Sequence, residues 1–243
     1  MPPSRPSLVE LRVLEGANLY FPRPAVKLTL DLSTLVGLDE SRARAVGVAL
    51  GLAAASPGPP ETAVRQRFAG RLVARLVRRV AAEAGTTRLA VRSRPTAEMH
   101  GLVVAFPWRR RGRAEALGLA VAGVLDALPE GDVTAAVRTA AALVRTAVPG
   151  EGPSLRRPGV PVVAVTGTNG KTTTARMVAR MGRCAGLVVG WSSTDGVYVD
   201  GELVEPGDYS GPSGAARVLD DPRVQLAVTE TARGGILLKG IGV

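Results

Sequence analysis

The stretch "VVAVTGTNGKTTTARMVARM" (162–181) decides the fold of the second half of this chain. It starts with an apolar run, passes through a glycine-rich turn and ends in apolar residues at helical spacing. The apolar run is typical of a buried strand in a parallel sheet. A strand, a tight turn and a helix in this order direct backbone N–H groups and the positive end of the helix dipole towards one point. The stretch therefore predicts a phosphate-binding loop.

Individual residues of this loop suit that chemistry. Gly167 and Gly170 permit a close approach of the backbone that a side chain would block. Lys171 would bring positive charge to the β- and γ-phosphates of a nucleotide, and Thr172 would offer its hydroxyl to Mg²⁺. The full pattern G-x-x-x-x-G-K-[ST] is not matched, because Val165 stands where its first glycine would be. A plain glycine-rich turn that caps a helix is the alternative interpretation.

The residues after the loop predict further strands and helices. "LVVGWSST" is a second strand, a hairpin turns at Asp200 and Gly201, a short helix ends near Pro222, and "QLAVTET" is a third strand. This alternation predicts a parallel sheet with helices packed on it. Ligands of such sheets bind beyond the carboxyl ends of the strands. Glu230 ends the third strand and would lie beside the loop, where it could bind Mg²⁺, if its strand neighbours the first one. A solvated carboxylate is the alternative.

Asp195 is a weaker candidate, because it also follows a strand end but lies in a turn-like segment, "WSSTDG". It would contact nucleotide, metal or substrate, or else only cap the turn. The sequence does not decide between these roles.

Residues 1–148 predict a separate α+β domain. "LRVLEGANLYFPRPAVKLTLDL" and "HGLVVAFPW" have the pattern of strands, and three later segments have that of helices. The longest of these, "ETAVRQRFAGRLVARLVRRVAAEAG", carries an apolar residue at every fourth position: Val64, Phe68, Leu72, Leu76 and Val80. A linker rich in proline and glycine, residues 149–161, separates this domain from a second one at 162–243.

Composition narrows the classes of function. The net charge of +10 lies entirely before residue 159, where 23 Lys and Arg face 13 Asp and Glu. A solvated basic surface is favoured over a site for nucleic acid or another anionic polymer, because the arginine-rich face of the longest predicted helix has no interleaved aromatic residues for base stacking. Cys184, the single cysteine, cannot form an internal disulfide, which fits a reducing cytoplasm. The sequence has neither the pattern of a signal peptide nor an apolar run long enough to cross a bilayer, so we expect a cytoplasmic protein without membrane contact.

Several motifs resemble those of one enzyme superfamily. "VTGTNGKTTTARM" resembles the ATP loop of the Mur ligases, and "SSTDG", "GDYSGP" and "ETARGGIL", in this order, resemble the cyanophycin synthetase branch. More loosely, "LEGANLYFPRP" and "VVAFPWRRRGRAEALGLAVAGVLDAL" resemble the amino-terminal domain of that branch. The resemblance implies an α/β protein in which a small α+β domain precedes a P-loop-type parallel sheet, the Mur ligase central domain.

The same resemblance implies an ATP-dependent carboxylate–amine ligase, in which a substrate carboxylate takes the γ-phosphate and an amine then attacks the acyl phosphate. Its substrates would be small-molecule or peptide carboxylates and amines. Thr172 and Glu230 would bind Mg²⁺, and Lys171 and Glu230 are the candidate catalytic residues; Arg233 matches the motif without an assigned role. The residues that match the ATP-binding loop are Gly167, Thr168, Asn169, Gly170, Lys171, Thr172 and Thr173.

The sequence also departs from the family pattern. No ATP-grasp domain lies between the two regions, and Val243 comes before the Asp-His pair and the carboxy-terminal domain of the family. His100, the only histidine, lies in the first region and is expected to be a structural or surface residue. We therefore expect an incomplete ATP-binding domain with exposed apolar faces. The alternatives are the front part of a ligase, a chain whose site is completed by a second polypeptide or homo-oligomer, and a non-catalytic nucleotide-binding module.

Overall fold

The computed structural model describes residues 7–153 and 158–241, apart from the side chains of residues 238 and 239. The protein has mixed α/β structure with two sheets, and it divides into two compact units. The first unit contains Ala25–Pro153 and the described residues before Leu14, while the second contains Leu14–Pro24 and the described residues from 158 onward. The sequence places Leu14–Pro24 within the domain 1–148, whereas the structure groups it with the second unit. There the Ile241 N–H donates to the Ala17 carbonyl oxygen at 2.8 Å.

The sheet of the first unit has four strands in the order β1-β2-β4-β3. The β2–β4 and β3–β4 pairs are antiparallel. The strands predicted around residues 11–32 and 100–108 are confirmed, whereas β3 has no counterpart in the sequence prediction. The four strands are β1 (Leu8–Leu14), β2 (Ala25–Asp31), β3 (Arg92–Pro95) and β4 (Gly101–Pro107).

Helices pack on this sheet and supply most of an aliphatic core. The predicted apolar face of α3 is confirmed for four of its five residues, which are fully buried, while Val64 is 41% exposed. Thr62 ends the preceding loop and caps α3 by accepting a hydrogen bond from the Arg65 N–H at 3.2 Å. The helices are α1 (Ser33–Gly37), α2 (Glu40–Ala49), α3 (Ala63–Glu83), α4 (Arg111–Ala127) and α5 (Val133–Thr146).

The second unit is built on a five-stranded mixed sheet in the order β5-β9-β6-β7-β8. Strand β9 lies between β5 and β6 and is parallel to both, while β7 and β8 continue the sheet as an antiparallel hairpin. The hairpin turn predicted at Asp200 and Gly201 is confirmed, and both residues have positive φ. The strands are β5 (Val162–Val165), β6 (Val189–Ser193), β7 (Gly196–Val199), β8 (Glu202–Pro206) and β9 (Leu226–Glu230).

Three helices accompany this sheet: α6 (Lys171–Cys184), α7 (Pro212–Asp220) and α8 (Arg233–Lys239). Ala175 and Ala179 of α6 pack with Val228 of β9, whereas Val218 of α7 packs with the adjacent Ala227. Successive residues of a strand point to opposite faces, so α6 and α7 cover opposite faces of the sheet. The carboxyl ends of β5, β9 and β6 lie between these two layers.

The burial predicted for β5 is wrong for most of the strand. Only Val165 is buried, and Val163 is 37% exposed. The reason is the strand order: β5 pairs with β9 on one side, and no other strand of the described residues pairs with it on the other. An apolar sequence that is typical of a central strand therefore lies at the edge of the sheet.

Candidate functional site

The candidate site is built around the loop between β5 and α6. Residues 166–170 of this loop are exposed to solvent. Gly170 lies directly before the helix with a φ of 77°, a left-handed conformation that favours glycine, and its carbonyl oxygen accepts from the Thr174 N–H at 2.9 Å. The first N–H groups of an α-helix have no acceptor within the helix. The loop therefore offers hydrogen-bond donors to an anion, as the sequence predicts.

Lys171 is the first residue of α6. Its Nζ lies 3.4 Å from the carbonyl oxygen of Thr168, a long hydrogen bond across the loop. The side chain thus folds back over the loop residues and not towards the outer end of the helix. Thr168, Asn169 and Thr173 are exposed around it. The loop residues predicted to bind ATP thus form one continuous, solvent-accessible segment.

Glu230 lies beside this loop because of the strand order. It ends β9, where it is the register partner of Val165, the last residue of β5. Its side chain is only 1% exposed, and its Oε2 accepts a hydrogen bond from Thr172 Oγ1 at 2.9 Å. The structure therefore brings together Thr172 and Glu230, the two residues predicted to bind a metal.

The chemistry of this pair fits a hard divalent cation. Mg²⁺ prefers carboxylate and hydroxyl oxygens, and it is usually bound by one or two protein groups together with phosphates and water. Thr172 and Glu230 supply one oxygen of each kind at the rim of the loop. No group of three or more His, Cys, Asp and Glu side chains that could hold a metal occurs in the part of the chain that the structure describes.

The turn between β6 and β7 forms another wall of the site. Thr194 Oγ1 lies 3.5 Å from Thr172 Oγ1, and Asp195 forms an ion pair with Arg176 of α6 at 2.6 Å. Sequence reasoning left Asp195 open, and the structure shows it bound to an arginine. Thr194 and Arg176 were not predicted from the sequence. The signal for Thr194 was its place in "WSSTDG", directly after the strand.

Two further motifs lie next to each other in the second unit. The Ala232 N–H, just before α8, donates to the Ser210 carbonyl oxygen at 3.2 Å and so joins the "ETARGGIL" segment to the "GDYSGP" segment. Hydrogen bonds from Ser210 lower the pKa of Asp208. Arg233 begins α8 and is exposed. Arg233 follows Glu230 by three residues in the sequence. None of these contacts assigns it a ligand.

Other residues lie apart from the loop. His100 belongs to the first unit, where its Nε2 lies 2.6 Å from Glu61 Oε2. A cavity of about 400 Å³ in the second unit is lined by Val160 and Val224 among others, which precede β5 and β9. It therefore lies at the opposite ends of these strands from Glu230. Among the described residues, no helix is long and apolar enough to span a membrane.

Comparisons with known proteins give similarity over part of the chain. No family model matches. Cyanophycin synthetase of Crocosphaera subtropica is 58% identical over 82 residues, which are 34% of this chain and 9% of that protein. The cyanophycin synthetase of Trichormus variabilis is 54% identical over 83 residues, with the same shares. UDP-N-acetylmuramoylalanine–D-glutamate ligase of Baumannia cicadellinicola is 64% identical over 36 residues, 15% of this chain and 8% of that protein.

The matched part is thus a small fraction of each relative and about a third of this chain at most. All three relatives are named as synthetases or ligases. Over that part, the similarities support the resemblance to Mur-type ligases that the sequence motifs indicate.

Proposed function

We propose that this chain carries the nucleotide-binding part of an ATP-dependent carboxylate–amine ligase of the Mur type. One observation carries the proposal: Thr172, directly after the lysine of the loop, donates to the buried carboxylate of Glu230 at 2.9 Å. A glycine-rich turn that merely caps a helix has no need of a buried carboxylate at the same point. The similarity to cyanophycin synthetases and to a Mur ligase supports the reaction class.

Binding of the nucleotide would use groups that this chain provides. The N–H groups of residues 167–173 would donate to the phosphate oxygens at the positive end of α6. The Lys171 ammonium, which now lies over the loop, would neutralise charge on the β- and γ-phosphates. Thr172 and Glu230 would hold Mg²⁺, whose positive charge would neutralise the charge that develops on the phosphates.

In the proposed reaction a substrate carboxylate attacks the γ-phosphorus of ATP, the bond to the β-phosphate oxygen breaks, and ADP leaves. The nitrogen of an amine then attacks the acyl carbon, loses a proton and displaces inorganic phosphate, so that an amide forms. Such transfers depend on positioning and charge neutralisation more than on covalent chemistry by the protein. Lys171 and Glu230 would serve those two purposes, and small molecules or peptides would supply the carboxylate and the amine.

A second candidate is one subunit of a split ligase, or a nucleotide-binding module that does not catalyse. Among the described residues β5 has a neighbouring strand on one side only, which favours a subunit, since the backbone groups on its other side are suited to accept a strand from another polypeptide or another copy. Both candidates share the nucleotide site, so the first test addresses that site alone.

The test is ATP binding by the full chain in the presence of Mg²⁺, measured by calorimetric titration for the wild type, Lys171→Ala and Arg180→Ala. Arg180 is an exposed cation on the same helix and serves as the matched control. Loss of a charge-assisted hydrogen bond of about 1.5–3 kcal/mol would weaken binding by roughly 10- to 150-fold in Lys171→Ala. Arg180→Ala should bind as the wild type does. Equal affinity of Lys171→Ala and the wild type would remove the basis of the proposal.

A further inference from the structure

The turn between β6 and β7 is held by hydrogen bonds on both sides and by an ion pair. The Asp195 N–H donates to Ser193 Oγ at 3.3 Å, and the Gly207 N–H donates to the Asp195 carbonyl oxygen at 3.3 Å. Arg176 of α6 contacts the Asp195 carboxylate at 2.6 Å. The turn is thus fixed to its own strand, to the segment after β8 and to the helix that follows the phosphate loop.

Gly196 closes the turn at a position where the neighbouring backbone leaves no room for a side chain. Its φ is 156°, and a Cβ at this position would lie 2.6 Å from the Glu205 carbonyl oxygen. Thr194, two residues earlier, is exposed. Its backbone position is therefore determined by neighbours on both sides, although its own side chain is accessible to solvent.

This turn brings a third oxygen atom close to the pair formed by Thr172 and Glu230. Glu230 Oε2 lies 2.9 Å from Thr172 Oγ1, and Thr172 Oγ1 lies 3.5 Å from Thr194 Oγ1. The first distance is an ordinary hydrogen bond, whereas the second is too long for a strong one. Because Thr172 donates its proton to Glu230, its lone pairs face away from the carboxylate. Thr194 Oγ1 is the next oxygen atom beyond this pair, close to any water molecule that binds at Thr172.

We propose that Thr194 is a positioning residue for the Mg²⁺ that Thr172 and Glu230 would bind, and that it acts by accepting a hydrogen bond from a water molecule of the cation. This inference rests on the proposed function. Mg²⁺ in nucleotide sites keeps several of its waters, and these need acceptors. Partners of metal ligands that do not touch the metal typically change metal affinity by about 10- to 100-fold when they are removed. The fixed turn suits this role because an acceptor must be held in place to orient a water.

The experiment is a titration of MgCl₂ into the full chain with ATP, with the Mg²⁺ concentration at half-maximal nucleotide binding as the readout. Thr194→Val removes the hydroxyl and keeps the shape, and it should raise this concentration by about 10-fold or more. Thr194→Ser retains the hydroxyl and should stay within about 2-fold of the wild type. ATP binding measured in EDTA should be the same in all three proteins, because the proposed contact involves only the cation.

Thr174→Val is the matched control, since Thr174 is an exposed threonine of α6 that the site does not use. It should show the wild-type response to Mg²⁺. Thermal unfolding of Thr194→Val and Thr174→Val should give similar midpoints, which separates a positioning role from a structural one. A wild-type Mg²⁺ response in Thr194→Val would overturn the inference, and so would a Thr194→Ser defect as large as that of Thr194→Val.

The two proposals fail in different ways. If Lys171→Ala weakens ATP binding as expected and Thr194→Val responds to Mg²⁺ as the wild type does, only the role of Thr194 is contradicted. If the wild type binds ATP without any response to Mg²⁺, both the metal site of Thr172 and Glu230 and the role of Thr194 are contradicted. If Lys171→Ala binds ATP as well as the wild type, the phosphate loop assignment falls, and the role of Thr194 loses its basis.

Discussion

The two units bury polar side chains in different ways. In the described part of the first unit, Arg65 is the only charged residue that is fully buried, and its guanidinium donates to backbone carbonyl oxygens, including those of Pro57, Gly58 and Val36. In the second unit the buried polar side chains cluster at the carboxyl ends of β6 and β9, and they are Ser192, Ser193, Thr229, Glu230 and Thr231.

The difference lies in how these groups are satisfied. Arg65 finds its acceptors within the fold, so its burial stabilises the loops around it. The hydroxyls of Ser192, Thr229 and Thr231 have no hydrogen-bond partner among the described residues, and in the first unit the same holds for the single hydroxyl of Thr29 in β2. A buried polar group without a partner costs about 1–3 kcal/mol, and one explanation for such a group is a water molecule, an ion or a ligand that binds there. We interpret the burial of Arg65 as structural, and the clustering of three such hydroxyls at the carboxyl ends of β6 and β9 as a mark of the functional end of the sheet.

The largest effect is expected for Arg65→Ala. The substitution leaves several buried carbonyl oxygens without donors and opens a cavity, which should lower the free energy of unfolding by about 3–4 kcal/mol. Urea unfolding followed by circular dichroism measures it. Arg67→Ala, at an exposed position of the same helix, should change stability by no more than about 0.5 kcal/mol. Similar losses in both variants would mean that the buried contacts of Arg65 contribute little.

A smaller effect, confined to ligand binding, is expected for Glu230→Gln. The amide oxygen can still accept from Thr172, so the fold should be kept, but the charge that attracts Mg²⁺ is lost. The Mg²⁺-dependent part of ATP binding should weaken by about 10-fold or more, consistent with about 1.5–3 kcal/mol for a contact to a charged group. Calorimetric titration with and without Mg²⁺ measures it. Glu202→Gln, at an exposed position of β8, should leave binding intact, and an equal loss there would point to general electrostatics instead.

The smallest effect is expected for Thr229→Val, which replaces an unsatisfied hydroxyl by a methyl group of the same shape. Stability should stay unchanged or rise by up to about 1 kcal/mol. In the first unit, Thr62→Val should instead lower it by about 1 kcal/mol, because Thr62 caps α3. The midpoints of thermal unfolding of Thr229→Val and Thr62→Val, each compared with the wild type, measure these changes in stability. A clear loss of stability in Thr229→Val would show that its hydroxyl has a partner and would break the contrast between the units.

Local sequence patterns predicted much of the fold. The face of α3, the helix after the phosphate loop and the hairpin turn at Asp200 and Gly201 each depend on neighbouring residues, and each is confirmed. The helix α2 was missed, although Asp39 caps it by accepting from the Arg42 N–H. The short polar strand β3 has no alternation of apolar residues to identify it. Burial of β5 was predicted wrongly because composition does not reveal whether a strand has neighbours on both sides.

The sequence predicts only those parts of the site whose residues lie close together along the chain. The loop residues follow from their spacing, but the approach of Glu230 depends on β9 inserting between β5 and β6, which no single segment encodes. The sequence predicts Glu230 beside the loop only if its strand neighbours the first strand. The register pairing of Val165 with Glu230 meets that condition. Thr194 and Arg176 were missed for the same reason. Their contacts form only when the turn after β6 folds against α6.

The grouping of Leu14–Pro24 with the second unit has a consequence for synthesis. A ribosome makes this segment early, yet the hydrogen bond from Ile241 to Ala17 joins it to residues made near the end of the described chain. Ala25–Pro153 can begin to pack as it emerges, whereas Leu14–Pro24 must wait for most of the protein. Contacts of such long sequence separation form late and slowly. A fragment that begins after Pro153 therefore lacks part of its own unit, and an expression experiment on the nucleotide site should keep the whole chain.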